Sequence, residues 1–556
     1  MKNIKIALAA FAFLGCLSLN AQNKIEKVNI TYGKELPDDK QKLVDIIGEA
    51  NGKIYGIAIK GKDTYMLKIY DSATMGQLSS NEIKIPELND KEVEFEDIYL
   101  LNGKLYVVGS VYNKKEKVYN LVANPLSEEG KLGKEGVVLF KSAVEKKSEK
   151  GAFYFRKTQD KNGLLVMHAS KHKKEDAVTY EIKLFDDNLK AVFDTEEKVV
   201  FEDDNKKDVT FNIPDFQVGL NDDVYVVVSE GYRDKKNKKR VEIFEVHAYK
   251  SSKNYVKEVI TINSDGHYPL NCQIVPSGDD LHLMGFYLSV RESGRVNYDL
   301  EGIYAATVNL KSNTTTSLKF NELDYATKVK LIGERRAKKG KDVKPLYNII
   351  QVIGREDGGM IMLSEYQMVV IGQSSGIGIG GIGVGFTPVT YIKNEIIVTS
   401  LAPDGSHEWS NVVPKEQSAS ITTMSLGLGF GGGSDNFAVG GTIVIPILQM
   451  GSGPEYLGAL PIYKNGELSI MINDNVKNKG IIDIEEIKSM GNYNKAVPSL
   501  FIFDKMGSMV RKDPEQAVKD ELVLRPGVSF EKSDNEFIIY SARKKSDKLG
   551  RMVLED

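Results

Sequence analysis

The sequence predicts an all-β chain closed into a ring, and three observations carry that prediction. One hairpin pattern recurs eight times, its early copies lie about 50 to 60 residues apart, and the last copy lacks a strand that the start of the chain can supply. Rings of four-stranded units are β-propeller blades. The expectation is a single β-propeller of about eight four-stranded blades, with seven to nine as the range, closed by the N-terminal strand.

The chain opens with Met1-Lys2-Asn3-Ile4-Lys5, an apolar run from Ile6 to Leu14, and then Asn20-Ala21-Gln22. A short basic segment, an apolar core and a small residue before polar sequence make a secretory signal peptide. The run is too short to span a bilayer. Residues 1–21 are therefore read as a leader and residues 22–556 as the propeller domain of an exported protein, periplasmic or at the cell surface. Leu14-Gly15-Cys16 competes as the end of a lipobox with Cys16 lipidated. Phe13 stands where such signals carry Leu, and Leu17 and Leu19 prolong the apolar run, so simple cleavage is preferred.

Loss of the leader removes Lys2 and Lys5, leaving 72 basic against 77 acidic residues, a net of −5. That balance gives no reason to expect nucleic acid. Cys16 and Cys272 are the two cysteines, so a processed chain has no internal disulfide and is held by burial. No later apolar stretch of spanning length is free of charges or turn residues, which predicts no transmembrane helix, with peripheral membrane contact left open.

The hairpins follow in order. The first four turn at Asn51-Gly52, Asn102-Gly103, Asn162-Gly163 and Asn221-Asp222, before Ile54–Ile57, Leu105–Gly109, Leu164–Met167 and Val224–Val228. Four looser copies turn at Gly278-Asp279-Asp280, Asp357-Gly358, Asn465-Gly466 and Asp534-Asn535. Asn-Gly and Asp-Gly favour such turns because both central positions tolerate positive φ. Turn to turn, the steps are 51, 60, 59, 57, 79, 108 and 68 residues, and further strands such as Thr64–Tyr70 and Glu242–Tyr249 fill them. Separate β-sandwiches would also show many strands, but no Pro/Ser/Thr-rich linker divides the units and they share one internal order. In the last unit Val528–Glu531, Phe537–Ala542 and Arg551–Leu554 are the candidate strands, and Glu26–Tyr32 is the alternating segment expected to complete that sheet.

Two glycine-rich insertions, near 372–388 and 424–455, stretch the longest step. The first contains Gly376, Ile377, Gly378, Ile379, Gly380, Ile382, Gly383, Val384 and Phe386. The second contains Leu426-Gly427-Leu428-Gly429-Phe430. Each holds a formal G-x-G-x-x-G, but no helical pattern follows, so the dinucleotide reading fails. As strands they would expose bare backbone on one face and branched apolar groups on the other. Two uses follow: pairing of the two tracts with each other over the ring, or an interaction surface formed by the nine named residues of the first tract together with Phe430.

Catalytic and metal patterns are absent from the sequence, and no cofactor is predicted. His168, His172, His247, His267, His282 and His407 are scattered without metal spacing; His168 and His282 read as satisfied core or rim residues. Cys272 lacks the context of a catalytic thiol. Glu94 and Glu96 read as a solvated strand face, and Glu202-Asp203-Asp204 as a solvated loop without calcium-ligand spacing. The basic runs 233–240 and 335–341 read as solvated loops, with docking to acidic polysaccharide or lipid as the sharper alternative.

By its Leu-x-Leu-Asn-Ala-Gln leader end, its blade units, and segments such as Leu401–Ser410 and Ile472–Asn478, the chain resembles the uncharacterised exported β-propeller proteins of Bacteroidota. The resemblance implies blades and no functional residues. Two function classes are expected: a non-enzymatic binding or scaffold protein of the envelope that grips a protein or glycan partner, or a carbohydrate-active hydrolase or lyase with its site in the central channel. Carboxylates and histidines converging on the channel would favour the enzyme.

Overall fold

The computed structural model describes residues 22–61, 64–85, 93–201, 205–372, 375–379, 382–424, 437–439, 453–514, 522–543 and 546–555. The expected leader, the acidic residues 202–204, the tract 426–433 with Phe430, and Gly380 lie outside them.

Each predicted hairpin turn joins the first and second strands of one blade. Blades 1 to 4 begin at Gln41–Ala50, Glu94–Leu101, Ala152–Lys157 and Lys206–Ile213, the last continued by Phe216–Val218. Blades 5 to 8 begin at Tyr268–Pro269 with Gln273–Ser277, Tyr347–Gly354, Ala459–Lys464 and Val523–Ser533. The main strands of each blade pair antiparallel with their neighbours, giving eight blades. Asn51 and Gly52 take φ of 52° and 72°, Asn102 and Gly103 45° and 73°, and Asn465 and Gly466 53° and 78°. Two successive positive values bend the chain with the twist its strands require.

The second strand of a blade reads as an unbroken apolar run because both of its faces are buried. In Val224–Asp234 of blade 4, Val224, Val226 and Val228 pack with Leu165, Met167 and Tyr180 of blade 3. Tyr225 and Val227 pack with Ile274, Leu281 and Leu283 of blade 5. The same alternation builds a separate core in each of the eight gaps between blades. Each fully buried Val, Leu or Ile side chain contributes roughly 1.5–3 kcal/mol.

The ring closes as expected. Val28–Tyr32 pairs with Ser546–Leu554 in the register Val28↔Leu554 to Tyr32↔Gly550, as the fourth strand of blade 8. Gln22–Ile25 adds a fifth. Val28, Ile30 and Tyr32 are buried against Met471, Leu500 and Met552, and the Tyr32 hydroxyl donates to Ser541 Oγ at 3.1 Å.

Helices are few among the described residues. The step of 79 residues holds α1 (Tyr325–Ile332) and α2 (Glu334–Ala337), which the strand pattern did not predict. Asp324 caps α1 by accepting from the Thr327 N–H at 2.8 Å, and Gly333 ends it at φ 78°. The run 335–341 begins on α2, where Arg335 and Arg336 are exposed, as is Lys338 just beyond it, and 233–240 forms a hairpin tip of blade 4.

Candidate functional site

Two places gather unusual chemistry: the central channel and an arm of blade 6. The first strands of the blades line the channel, and several carry a bulge or break. The register slips between Leu43 and Asp45, between Phe95 and Asp97, and between Ile349 and Gln351, and the blade 4 strand breaks around Asp215. Bulges re-aim side chains and free backbone groups. Asp97 accepts its neighbour Ile98 N–H at 2.8 Å, and Asp215 accepts Phe216 N–H at 2.9 Å.

Asp45, Asp97 and Lys157 converge from blades 1, 2 and 3. Lys157 Nζ reaches past blade 2 to the Ile47 carbonyl at 3.4 Å. Lys161 Nζ reaches blade 8, donating to the Glu531 carbonyl at 2.7 Å and lying 5.3 Å from the Phe530 ring centroid. Burial, then the charge of Asp97, push the Asp45 carboxyl up to about 6, against the Ile46 N–H and Lys157. Burial also raises Asp97. Burial depresses Lys157 against the pull of both aspartates. An acid that titrates near neutrality beside a second carboxylate has the composition of a proton-transfer pair. Asp215 is already engaged: it also accepts Ile274 N–H at 3.0 Å and pairs with Arg156 at 3.5 Å.

The histidines lie elsewhere. His168, on the second strand of blade 3, is buried, with Nε2 2.6 Å from the Lys150 carbonyl oxygen and Nδ1 3.6 Å from Glu181. His282 Nδ1 lies 3.1 Å from Thr307 Oγ1. Both match the reading of satisfied histidines. The Cys272 thiol is buried and pushed far up by that burial. Among the described residues no three His, Cys, Asp or Glu side chains gather as a metal site. One expectation fails: Glu94 is an exposed partner of Lys150, but Glu96 is not on a solvated face. The bulge between Phe95 and Asp97 turns it inward, where it accepts the Ser110 hydroxyl at 2.5 Å and burial raises its carboxyl.

The arm grows out of blade 6. Its strands Met360–Ile371, Ile382–Leu401 and His407–Met424 have 12, 20 and 18 residues, against 6 to 9 for most strands of blades 1 and 7. Ser375–Ile379 folds back on the start of Ile382–Leu401 in the register Gly376↔Gly385, Ile377↔Val384, Gly378↔Gly383 and Ile379↔Ile382. Along this ribbon the register sets glycine opposite glycine and branched residue opposite branched residue in alternation. The two described halves of the first tract pair with each other; the expected pairing with the second tract falls on residues outside the described ones. His407–Met424 then pairs alongside, from Phe386↔Met424 inward.

At the arm's base Val389, Tyr391 and Ala419 pack on Leu457, Met490, Ala496 and Val523, so it rests on blades 7 and 8. Lys415 and Glu365, 0% and 1% exposed, pair there at 2.8 Å. Lys415 Nζ also donates to the Lys393 carbonyl at 2.8 Å. Farther out, Val370 and Ile371 are 44% and 51% exposed. Within the second insertion, Phe437–Val439 pairs in parallel with Phe211–Ile213, the first strand of blade 4, and Val439 is buried between blades 3 and 4.

Sequence reading missed the channel cluster, though a signal existed. Asp97 and Lys157 each stand five residues before the Asn of their turns, and Asp45 and Asp215 six before theirs. Alignment on the turns brings the four together.

No family model matches the chain, and no curated protein matches it. Solved structures similar to it include a europium-containing methanol dehydrogenase, at 9% identity over 96% of this chain and 95% of that one, with a TM-score of 0.38. The Dos1 propeller is similar at 9% identity over 95% of each chain, with a TM-score of 0.35. The polysaccharide lyase Uly1 is similar at 9% identity over 85% of this chain and 94% of that one, with a TM-score of 0.31. Likenesses this weak carry no functional argument; the strand pairing itself makes the chain an eight-bladed β-propeller.

Proposed function

We propose that the protein is an exported, non-enzymatic binding or scaffold protein of the cell envelope that engages a protein or glycan partner through one face of the propeller, with the blade 6 arm as the contact element. The arm carries the reading. No charged residue occurs from Tyr366 to Ile392, in a chain that is 27% charged, and Val370 and Ile371 stand exposed on it. Exposed apolar area of this kind is costly unless it is used. Deletion of residues 374–386 is expected to abolish capture of a defined envelope partner and to weaken its binding, as a purified component, by at least tenfold. The melting temperature should be unchanged. Equal binding by the deleted protein would refute the reading.

A second reading, a hydrolase or lyase working in the channel, is supported by the Asp45–Asp97 pair with Lys157. It requires that the purified protein depolymerise a polysaccharide and that Asp97→Asn lower the rate at least a hundredfold. A rate that survives the substitution would remove these residues from the chemistry.

A further inference from the structure

A cleft of about 120 Å³ opens between blades 6 and 7, among the turns that join their first and second strands. Its floor is Ile361, Leu468 and Phe503, all buried. Trp409 and Tyr463 form its walls. Trp409 belongs to blade 6, but the last turn of blade 7 holds it. Its ring lies parallel to Phe503, within 5° and with centroids 6.1 Å apart, and its Nε1–H donates to the Lys505 carbonyl at 3.1 Å. Gly507 packs so closely on the indole that a Cβ there would fall 2.4 Å from a ring atom. Arg355 is fixed as well, by Asp357, Glu408 and Ser400.

Three groups at the cleft are uncommitted. Among the described residues, the Tyr463 hydroxyl, the Glu356 carboxylate and the Lys505 ammonium carry no hydrogen bond or ion pair, whereas Asp504 accepts the Met506 and Ser508 N–H groups. A rigid aromatic wall, an apolar floor and a rim of free donors and acceptors suit a ligand with one C–H face and a hydroxyl-bearing edge. The volume is below the several hundred Å³ of a drug-sized site and admits one ring. Glu408 and Asp357 more than offset Arg355, and Glu356 and Asp504 outnumber Lys505, so the rim does not attract an acid.

We propose that this cleft binds a single neutral pyranose unit of a glycan. The inference goes beyond the arm reading and stands on different residues. Trp409 is the only tryptophan in the chain, so fluorescence excited at wavelengths beyond the absorption of the 26 tyrosines reports on the cleft alone. The full chain is titrated with glucose, galactose, mannose and N-acetylglucosamine, with glucuronate as the acidic control. At least one neutral sugar should give a saturable change, glucuronate should bind more weakly, and Glu356→Ala should raise the midpoint at least fivefold. Glu356 is exposed, so that variant keeps its fold; Tyr463→Phe, which removes only the hydroxyl, should act in the same direction. A flat titration with every neutral sugar, tighter binding of glucuronate, or midpoints within twofold of wild type in both variants would overturn the proposal. Loss of partner binding on arm deletion, combined with a flat titration, would sink this inference and leave the arm reading standing.

Discussion

Asp45 shows how one residue couples the channel to pH. Its carboxyl titrates near 6 in the folded protein, above its ordinary range, because burial and Asp97 disfavour the charge. The native state therefore holds that proton more tightly than the unfolded chain. The stability this confers is complete below about pH 4 and is lost as pH rises through 6. Asp45→Asn should stabilise the protein at pH 8 by on the order of 1–3 kcal/mol and change nothing at pH 4, as read by urea unfolding at both values. Lys415 poses the opposite case. Lys415→Met strands Glu365 as a buried, weakly compensated charge and should cost about 3–5 kcal/mol, much of it recovered by the double variant with Glu365→Leu. Neither role was legible in the sequence. A lone Lys or Asp in a strand looks the same whether water or another blade faces it, and only the register of neighbouring strands decides.

Among elements, those built on local rules were legible and those built on tertiary contact were not. Every predicted turn joins two strands of one blade, and at Asn51-Gly52, Asn102-Gly103 and Asn465-Gly466 both residues take the positive φ their types favour, whereas at the third turn it is Lys161 that does. The helix α1 escaped a reading tuned to alternation, yet Asp324 and Gly333 are ordinary start and stop signals. Asp324→Ala should cost about 0.5–2 kcal/mol by calorimetry, since the cap satisfies an N–H that would otherwise lack a partner. In the arm, alternating glycine and branched residues correctly announced strands. Their partner was not legible, because a strand pattern fixes faces and leaves the neighbour open.

For the whole molecule, the number of blades was legible from repeats and the closure from arithmetic: the last unit lacked a strand and the first residues offered one. Deletion of residues 23–33 removes the buried Val28, Ile30 and Tyr32 and reopens an edge. It should cost on the order of 5 kcal/mol or more, seen as a large drop in melting temperature; an unchanged curve would refute the closure. What the repeats did not reveal is that the insertion after blade 6 returns to blade 4, since three residues, Phe437–Val439, carry too little pattern to choose a partner.

The pairing of Val28 with Leu554 also sets an order in time. Residues 28–32 acquire their neighbour only after residues 550–554, far later in the chain, have emerged. Until then blade 8 has no outer strand, and the early segment waits as an unpaired edge. Contacts of such long sequence separation are formed slowly. Assembly of the middle blades should therefore run ahead of a late, single locking event, and any factor that shields a lone strand would act on residues 28–32 during that interval.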